Sequence, residues 1–362
     1  MKPALVISRD WPAGVGPETP LLGLSLLRRQ ILAAERAGFE RIYVEPVAGA
    51  DLSRHLAGTR AQIASGRDTA SAGKSIARLS ARLLPSVEWL RALRENPSAD
   101  PAGPGVFEIR DAQDLPRAER WLLDGLVKDT EGFMSRHVER KISLAISRCL
   151  APTEVTPNQM TIVSVVVGLA GSAFFLSSHP AMQFAGALLF LGHSILDGCD
   201  GELARLKFQT SRLGGILDFW GDNVVHSAVF AAIAIGWWRR SEEIQPLLLG
   251  AAAIAGTLLS AGFVYFQTMS NASNASHASG ASSASNGREG PLFTSVSRSG
   301  DSRLSRMADF LARRDFIYLV VILAAFGKAH WFLILAAVGA PLFFLVLVGL
   351  ALGQRNPRRS YS

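Results

Sequence analysis

Apolar positions are distributed in two different ways along this chain. Up to about residue 130 they come in short groups: residues 3–8 (PALVIS) and 40–47 (ERIYVEPV) read as strands, and residues 20–38 (PLLGLSLLRRQILAAERAG) as a helix, so the segment begins as a βαβ unit. Beyond residue 155 the apolar positions fuse into long runs, at roughly 160–178, 182–204, 214–238, 246–268, 316–327 and 331–353. A helix needs about 20 residues to cross roughly 30 Å of hydrocarbon. Five of the runs approach or exceed that length, and the run at 316–327 does so only if extended backwards from Phe316, so the pattern favours six spans. Trp237, Trp238 and Trp331 fall at span ends, where amphipathic rings prefer the interface.

Two segments between these blocks have their own character. Residues 131–150 (EGFMSRHVERKISLAISRCL) interleave Phe133, Val138, Ile142, Leu144, Ile146 and Leu150 with Arg136, Arg140, Lys141 and Arg148, a mixture that predicts a basic amphipathic helix lying on an anionic membrane surface. Pro152 and Pro157 break the chain before Asn158 and Thr161 lead into the first span. Residues 269–286 (MSNASNASHASGASSASN) hold too little apolar surface to order themselves, so a disordered loop is expected at about 269–300. The organisation predicted is therefore 1–130, an α/β unit; 131–153, an interfacial helix; 154–353, a six-span domain; and 354–362, a tail.

Composition agrees with this division. Of 362 residues 49% are hydrophobic and 19% charged, against about a quarter charged in an average soluble domain. Residues 1–130 hold 18 Lys/Arg and 16 Asp/Glu, more than half of the acidic residues in little over a third of the chain. Disorder throughout, collagen and a disulfide scaffold are excluded; Cys149 and Cys199 read as reduced thiols. MKPALVISRDWPAG lacks the apolar core of a signal peptide, so the first 130 residues are expected in the cytoplasm. Six spans then place Arg205, Lys207, Arg212, the basic residues from Arg288 to Arg314, and Arg355, Arg358 and Arg359 inside, and only Arg239, Arg240 and Lys328 outside. That asymmetry predicts a multi-pass protein of the inner cell membrane with both termini cytoplasmic. In that topology the Asn-Ala-Ser triplets at Asn271 and Asn274 are not glycosylation sites.

The chemistry lies in the acids that remain in the apolar half. Between Val155 and Trp238 these are Asp197, Asp200, Glu202, Asp218 and Asp222. Facing lipid, each central Asp would cost about 2.5–3.5 kcal/mol, so they must face something polar. Asp197 and Asp200 are i,i+3, with Gly201 and Ala204 on the same stripe; Gly214, Asp218 and Asp222 are i, i+4 and i+8. Two antiparallel helices joined by a short loop would bring the stripes together, and four converging carboxylates repel one another unless hard cations, Mg²⁺ or Mn²⁺, sit between them. Two such ions about 4 Å apart are a standard device for displacement at phosphorus. Arg205, Lys207 and Arg212 follow in the loop, and a metal cluster beside three cations reads as a diphosphate site.

Asp197-Gly-Cys-Asp200-Gly201-Glu-Leu-Ala204-Arg205, eight residues, Gly214, three residues, Asp218, three residues, Asp222 resembles the signature of the CDP-alcohol phosphotransferase family, with every fixed position present. Pro157-Asn158-Gln-Met-Thr161 is similar to the motif with which family members begin their first span, and the resemblance covers about residues 131–350. It implies a reaction in which CDP-X and an acceptor hydroxyl give X-phosphate-acceptor and CMP, with two divalent ions, Mg²⁺ or Mn²⁺. Carried over by position, Asp197, Asp200, Asp218 and Asp222 would hold metal, and Asp222 would also be the general base. Asp197, Gly201, Ala204, Arg205 and Gly214 would bind the CDP, while Lys207, Arg212, Arg313 and Arg314 are weaker candidates for an acceptor phosphate. The resemblance further implies a CDP-linked donor (CDP-diacylglycerol or a CDP-polyol), a polyol phosphate among the possible acceptors, membrane lipid around the site, a homodimer, and no nucleic acid.

The run PLLGLSLLRRQILAAERAGFERIYV resembles the early part of sugar-phosphate nucleotidyltransferases, a domain that some family members making inositol-phosphate phosphodiesters carry in front. Their transferase half is similar also in DGCDGELARLKF and KDTEGFMSRHVERKIS. Residues 9–18 depart from a phosphate-binding loop: Arg9-Asp-Trp-Pro-Ala-Gly-Val-Gly-Pro-Glu18 holds two prolines and an acid, and the unit is about half the usual length. A degenerate, structural domain is the expectation. The fold expected overall is thus mainly α, a six-helix membrane bundle preceded by a small α/β nucleotidyltransferase-like unit. His193 and His226 are read as packing histidines and Glu202 as pointing off the metal stripe. The competing class is a cation- or proton-coupled transporter, which would carry its acids near the midplane on broken helices; an inactive scaffold is a third reading.

Overall fold

A computed structural model describes residues 3–65, 76–97, 103, 105–127, 138–278 and 316–355. The N-terminal part is built on a parallel sheet of β1 (Ala4–Ile7), β4 (Ile42–Val44), β5 (Ala61–Ile63) and β6 (Ile76–Leu79) in the order β5-β4-β1-β6. Between β1 and β4 come a two-residue-strand hairpin, β2 (Pro20–Leu21) and β3 (Leu24–Ser25), and helix α1 (Leu26–Ala37). β1 pairs with β4 in parallel, Leu5 opposite Ile42, which gives the expected βαβ unit. The rest consists of α2 (Ser53–Leu56), an antiparallel pair β7 (Leu83–Pro85) and β8 (Val106–Glu108) with α3 (Val87–Glu95) between its strands, and α4 (Leu115–Asp124). Leu5, Ile7, Leu27, Ile31, Phe39, Ile42, Leu79 and Leu90 form its core, each contributing about 1.5–3 kcal/mol by leaving water.

One expectation is corrected here. The helix placed at 20–38 begins only at Leu26, because Leu22 (φ 48) and Gly23 (φ 80) turn the chain into the small hairpin and Ser25 then caps α1, accepting from the Arg28 amide. A Cβ at Gly23 would lie 2.0 Å from the Ala151 carbonyl oxygen, so only glycine allows this hairpin to touch the later part of the chain.

That later part is helical: α5 (Arg140–Leu150), α6 (Pro157–Phe174), α7 (Pro180–Leu206), α8 (Arg212–Ser241), α9 (Gln245–Ala278), α10 (Phe316–Ala325) and α11 (Ala329–Arg355). Among the described residues four stretches are long and apolar enough to cross a membrane, Pro157–Phe174, Arg212–Ser241, Gln245–Ser270 and Ala329–Leu352, which makes this a membrane protein. The other two predicted spans are also helices but fall short of that standard. α7 carries Asp197, Asp200, Glu202 and Arg205, and only ten residues of α10 are described. Ile162, Val166, Leu248, Phe266, Leu335 and Leu345 face outwards, whereas Phe175, Phe190, Val225, Val229, Phe230 and Leu333 pack inside. α6 and α7 approach closely at small residues: a Cβ on Gly186 would stand 2.8 Å from the Gly171 carbonyl oxygen.

The disordered loop expected from about 269 is not found over its first ten residues. α9 continues to Ala278, since extending a formed helix is far easier than nucleating one and alanine favours it; residues 279–315 lie outside the described residues. So do residues 131–137 of the expected interfacial helix, of which α5 is the described part.

Candidate metal and phosphate site

α7 and α8 present the two carboxylate stripes, and along their length both pack more extensively against α6 than against each other. The start of α6 explains how. Thr156 caps it, accepting from the Gln159 amide while Gln159 returns a bond to the Thr156 amide, and Pro157 occupies the first turn. Asn158 and Thr161 are thereby directed at the neighbouring helices. Thr161 Oγ1 donates to Asp200 Oδ2 from α7, and a Cβ on Gly214 of α8 would stand 2.9 Å from Asn158 Oδ1. Gly214 thus leaves space that the end of the Asn158 side chain approaches.

Across the gap between α7 and α8, oxygens of Asp197, Asp200 and Asp218 lie within 4.8 Å of one another. Asp197 and Asp200 are buried and Asp218 is half-buried. Three carboxylates at this spacing repel by about 3 kcal/mol per charged pair even at an effective dielectric of 20, and a hard divalent cation is what such a donor set suits. The residues present therefore fit the metal that the sequence implies. A Cβ at Gly201 would meet only the Arg205 guanidinium, at 3.4 Å, so that cation lies beside the stripe.

Asp222, one turn along α8 from Asp218, has a partner of its own. Its Oδ1 is 3.3 Å from His193 Nε2, and His193 is itself fixed by donating from Nδ1 to the Ser164 carbonyl at 2.9 Å. His193 therefore does more than pack. His226 donates to the Asp222 backbone carbonyl and sits edge-on to Phe190, a packing role as expected.

Glu202 points away from the metal stripe, also as expected, but its environment could not be read from spacing. It is fully buried and accepts at 2.6 Å from each of Arg140 Nη1, Ser143 Oγ and Ser147 Oγ, three donors spread along α5. This carboxylate fastens α5 to α7. Glu202→Ala takes the acceptor from all three and is expected to destabilise the protein by about 3–5 kcal/mol, measured as a fall in melting temperature in detergent; Glu202→Gln, which keeps an oxygen in place, should lose less.

Of the weaker acceptor candidates, Lys207 is committed elsewhere: its Nζ donates to the Thr153 and Val155 carbonyls at 2.7 Å each, holding the α5–α6 connection. Arg212 Nη2 lies 2.9 Å from Met269 Sδ. Arg313 and Arg314 lie outside the described residues.

Comparison with known proteins places this geometry in context. Residues 154–285 match the profile of the CDP-alcohol phosphatidyltransferase family. A bifunctional IPC transferase and DIPP synthase from Thermococcus kodakarensis is 42% identical over 133 residues, which are 36% of this chain and 30% of that one. The protein of the same name from Archaeoglobus fulgidus is 38% identical over 152 residues, 42% of this chain and 30% of that one. The chain thus spans less than a third of the length of these relatives. Phosphatidylinositol phosphate synthase of Mycobacterium tuberculosis is 32% identical over 107 residues, 29% of this chain and 47% of that protein. A crystal structure of that synthase (PgsA1) with CDP-DAG bound aligns at 24% identity over 57% of this chain and 92% of the other, with a TM-score of 0.30.

Proposed function

We propose, from the CDP-alcohol phosphatidyltransferase domain at residues 154–285, that this protein transfers a phosphoalcohol group from a CDP-linked donor to an acceptor hydroxyl and releases CMP. The observation that carries the proposal is the meeting of Asp197, Asp200 and Asp218 within 4.8 Å at the signature positions, with Asp222 one turn further along α8 and 3.3 Å from His193.

Asp197, Asp200, Asp218 and Asp222 would hold two divalent ions, Mg²⁺ or Mn²⁺, which when bound neutralise the diphosphate and the departing CMP. Gly201, Ala204 and Gly214 leave room for the CDP, and Arg205 pairs with its phosphates. Asp222, oriented through His193, takes the proton of the acceptor hydroxyl as its oxygen forms the new bond to phosphorus and the CMP oxygen leaves. The donor is CDP-diacylglycerol or a CDP-polyol. An inositol-linked acceptor is favoured because relatives carry phosphatidylinositol phosphate synthase and archaetidylinositol phosphate synthase as their names.

The membrane arrangement we infer has six crossings, with α7 and α10 added to the four long apolar helices, and both termini on the cytoplasmic side of the inner cell membrane. Asp197 and Asp200 lie in the second half of α7 and Asp218 and Asp222 in the first half of α8, towards the ends to which the N-terminal unit is attached. A transporter would hold them at the midplane. We further read the N-terminal unit as structural rather than as a nucleotidyltransferase. The mouth between β1 and β6, where the strand order reverses and where open parallel sheets bind ligands, is filled by Asp10, which accepts from Ser8 Oγ, Ser80 Oγ and the Ala81 amide. A carboxylate there would repel nucleotide phosphates.

Mass spectrometry of the products formed from each donor with inositol phosphate, glycerol phosphate or inositol tests the substrate assignment. A phosphodiester of inositol phosphate is expected; a product made only with glycerol phosphate would overturn the inositol assignment, and cation flux into liposomes without any product would favour the transporter.

A further inference from the structure

α7 and α8, which carry the reacting groups, are joined by five residues, 207–211. Both helices pack extensively on α6, and the turn that joins them is a second point at which their separation beside the site is held. α1 reaches it with two arginines seven positions apart, hence on one face of the helix. Arg29, 3% exposed, donates from Nη1 to the Leu206 carbonyl at 3.0 Å, and its Nη2 contacts the Leu21 and Leu22 carbonyls at 2.9 and 3.2 Å. It therefore caps the C-terminal end of α7, where a cation is favoured, and ties that end to the β2–β3 hairpin. Arg36 donates from Nη2 to the Phe208 carbonyl at 2.8 Å and from Nη1 to Thr210 Oγ1 at 2.5 Å.

Phe208 lies between them. Its ring centroid is 5.8 Å from the Arg29 guanidinium carbon and 6.0 Å from that of Arg36, and the ring packs against the core of the N-terminal sheet. Its backbone is in the left-handed region at φ 55, a conformation that costs a residue with a Cβ energy and persists only where surroundings impose it. Leu22, Leu123 and Leu126 from the N-terminal part share an apolar cluster with Cys199, Leu203 and Leu206 of α7, so the seam beneath the turn is packed as well.

We propose that the N-terminal unit is a clamp on the α7–α8 turn. Arg29, Arg36 and Phe208 act as positioning residues that fix the distance between the Asp197/Asp200 and Asp218 stripes against the mutual repulsion of those carboxylates. This rests on the function proposed above only in that the stripes are taken as the metal site. The clamp touches neither donor nor acceptor, and it gives the N-terminal unit a role that needs no nucleotide chemistry.

The test uses the full-length protein carrying Arg36→Gln or Phe208→Ala, both at the edge of the seam. Mn²⁺ binding, without donor or acceptor, and hydrogen exchange of residues 206–214 are measured. Both variants should bind Mn²⁺ on the order of tenfold more weakly, exchange faster through the turn, and raise KM for the CDP donor more than they lower kcat. Phe208→Tyr, which keeps the ring, should restore all three values. If both variants keep parental Mn²⁺ affinity and parental exchange, the clamp is wrong, whether or not the protein releases CMP. If Mn²⁺ affinity falls and exchange quickens while no donor yields CMP, the clamp stands and the proposed reaction fails.

Discussion

Asp222→Asn is expected to lower CMP release by a factor of about 10²–10⁴, the usual contribution of a positioned general base, while changing Mn²⁺ affinity less than substitutions at Asp197, Asp200 or Asp218. The reasoning is geometric. Asp197, Asp200 and Asp218 bring oxygens within 4.8 Å of one another, whereas Asp222 is turned to His193, whose ring is anchored to the Ser164 carbonyl. Asparagine has the same shape and keeps a polar atom opposite His193 Nε2, so the helix should stay in place and only the ability to accept a proton is lost. Steady-state kinetics alongside a Mn²⁺ titration of the same preparation checks both halves. A variant as active as the parent would remove Asp222 from the chemistry, and equal losses of affinity at all four positions would make it an ordinary ligand.

Asp200→Asn should have the opposite signature. Buried on α7, Asp200 accepts from Thr161 Oγ1, and an asparagine oxygen can accept that bond too, so no orphaned polar atom is created. What disappears is one of three mutually repelling charges. Mn²⁺ affinity and CMP release should therefore collapse together, while the metal-free variant should be more stable than the metal-free parent by about 1–3 kcal/mol. Thermal unfolding in detergent with a chelator measures the second effect. An unchanged or lowered melting temperature would mean that the three carboxylates do not strain the metal-free fold.

Much of the site was legible in the sequence for a simple reason. The carboxylate stripes obey helical spacing, and an acid inside an apolar run is costly enough to announce itself, so Asp197, Asp200, Asp218 and Asp222 could be grouped before any contact was known. The apolar runs likewise coincide with helices, because a 20-residue hydrophobic pattern has few alternatives in a membrane. The rest depends on contacts that no local period encodes. Arg29 and Leu206 are 177 positions apart, and Arg140, Ser143 and Ser147 meet Glu202 across some 60 residues. Thr161 was noticed as part of a motif, yet its partner on α7 could not be. The β2–β3 hairpin hid inside a helical pattern because two residues with positive φ, Leu22 and Gly23, decide it, and Leu22 carries no turn signal.

Of the two predicted spans that fall short of crossing length and apolarity, only α7 offers a physical cause. α7 fails on hydropathy because it carries the site itself, so the polar residues that weaken the membrane signal are those that give the helix its function. In α10 only Phe316–Ala325 is described, and the preceding residues, with Arg313 and Arg314 among them, lie beyond that stretch.

The central claim is that the carboxylates on α7 and α8 carry out phosphoryl-group transfer with CMP as the leaving group. Its most direct test is CMP release by the purified full-length protein, offered CDP-diacylglycerol or a CDP-linked polyol together with inositol phosphate, glycerol phosphate or inositol, with Mg²⁺ or Mn²⁺ and again with a chelator. CMP should appear in step with a phosphodiester product for at least one pair, only with the acceptor present, and should stop when the divalent ion is removed. No CMP from any pair, or CMP released equally in the chelator, would contradict the account.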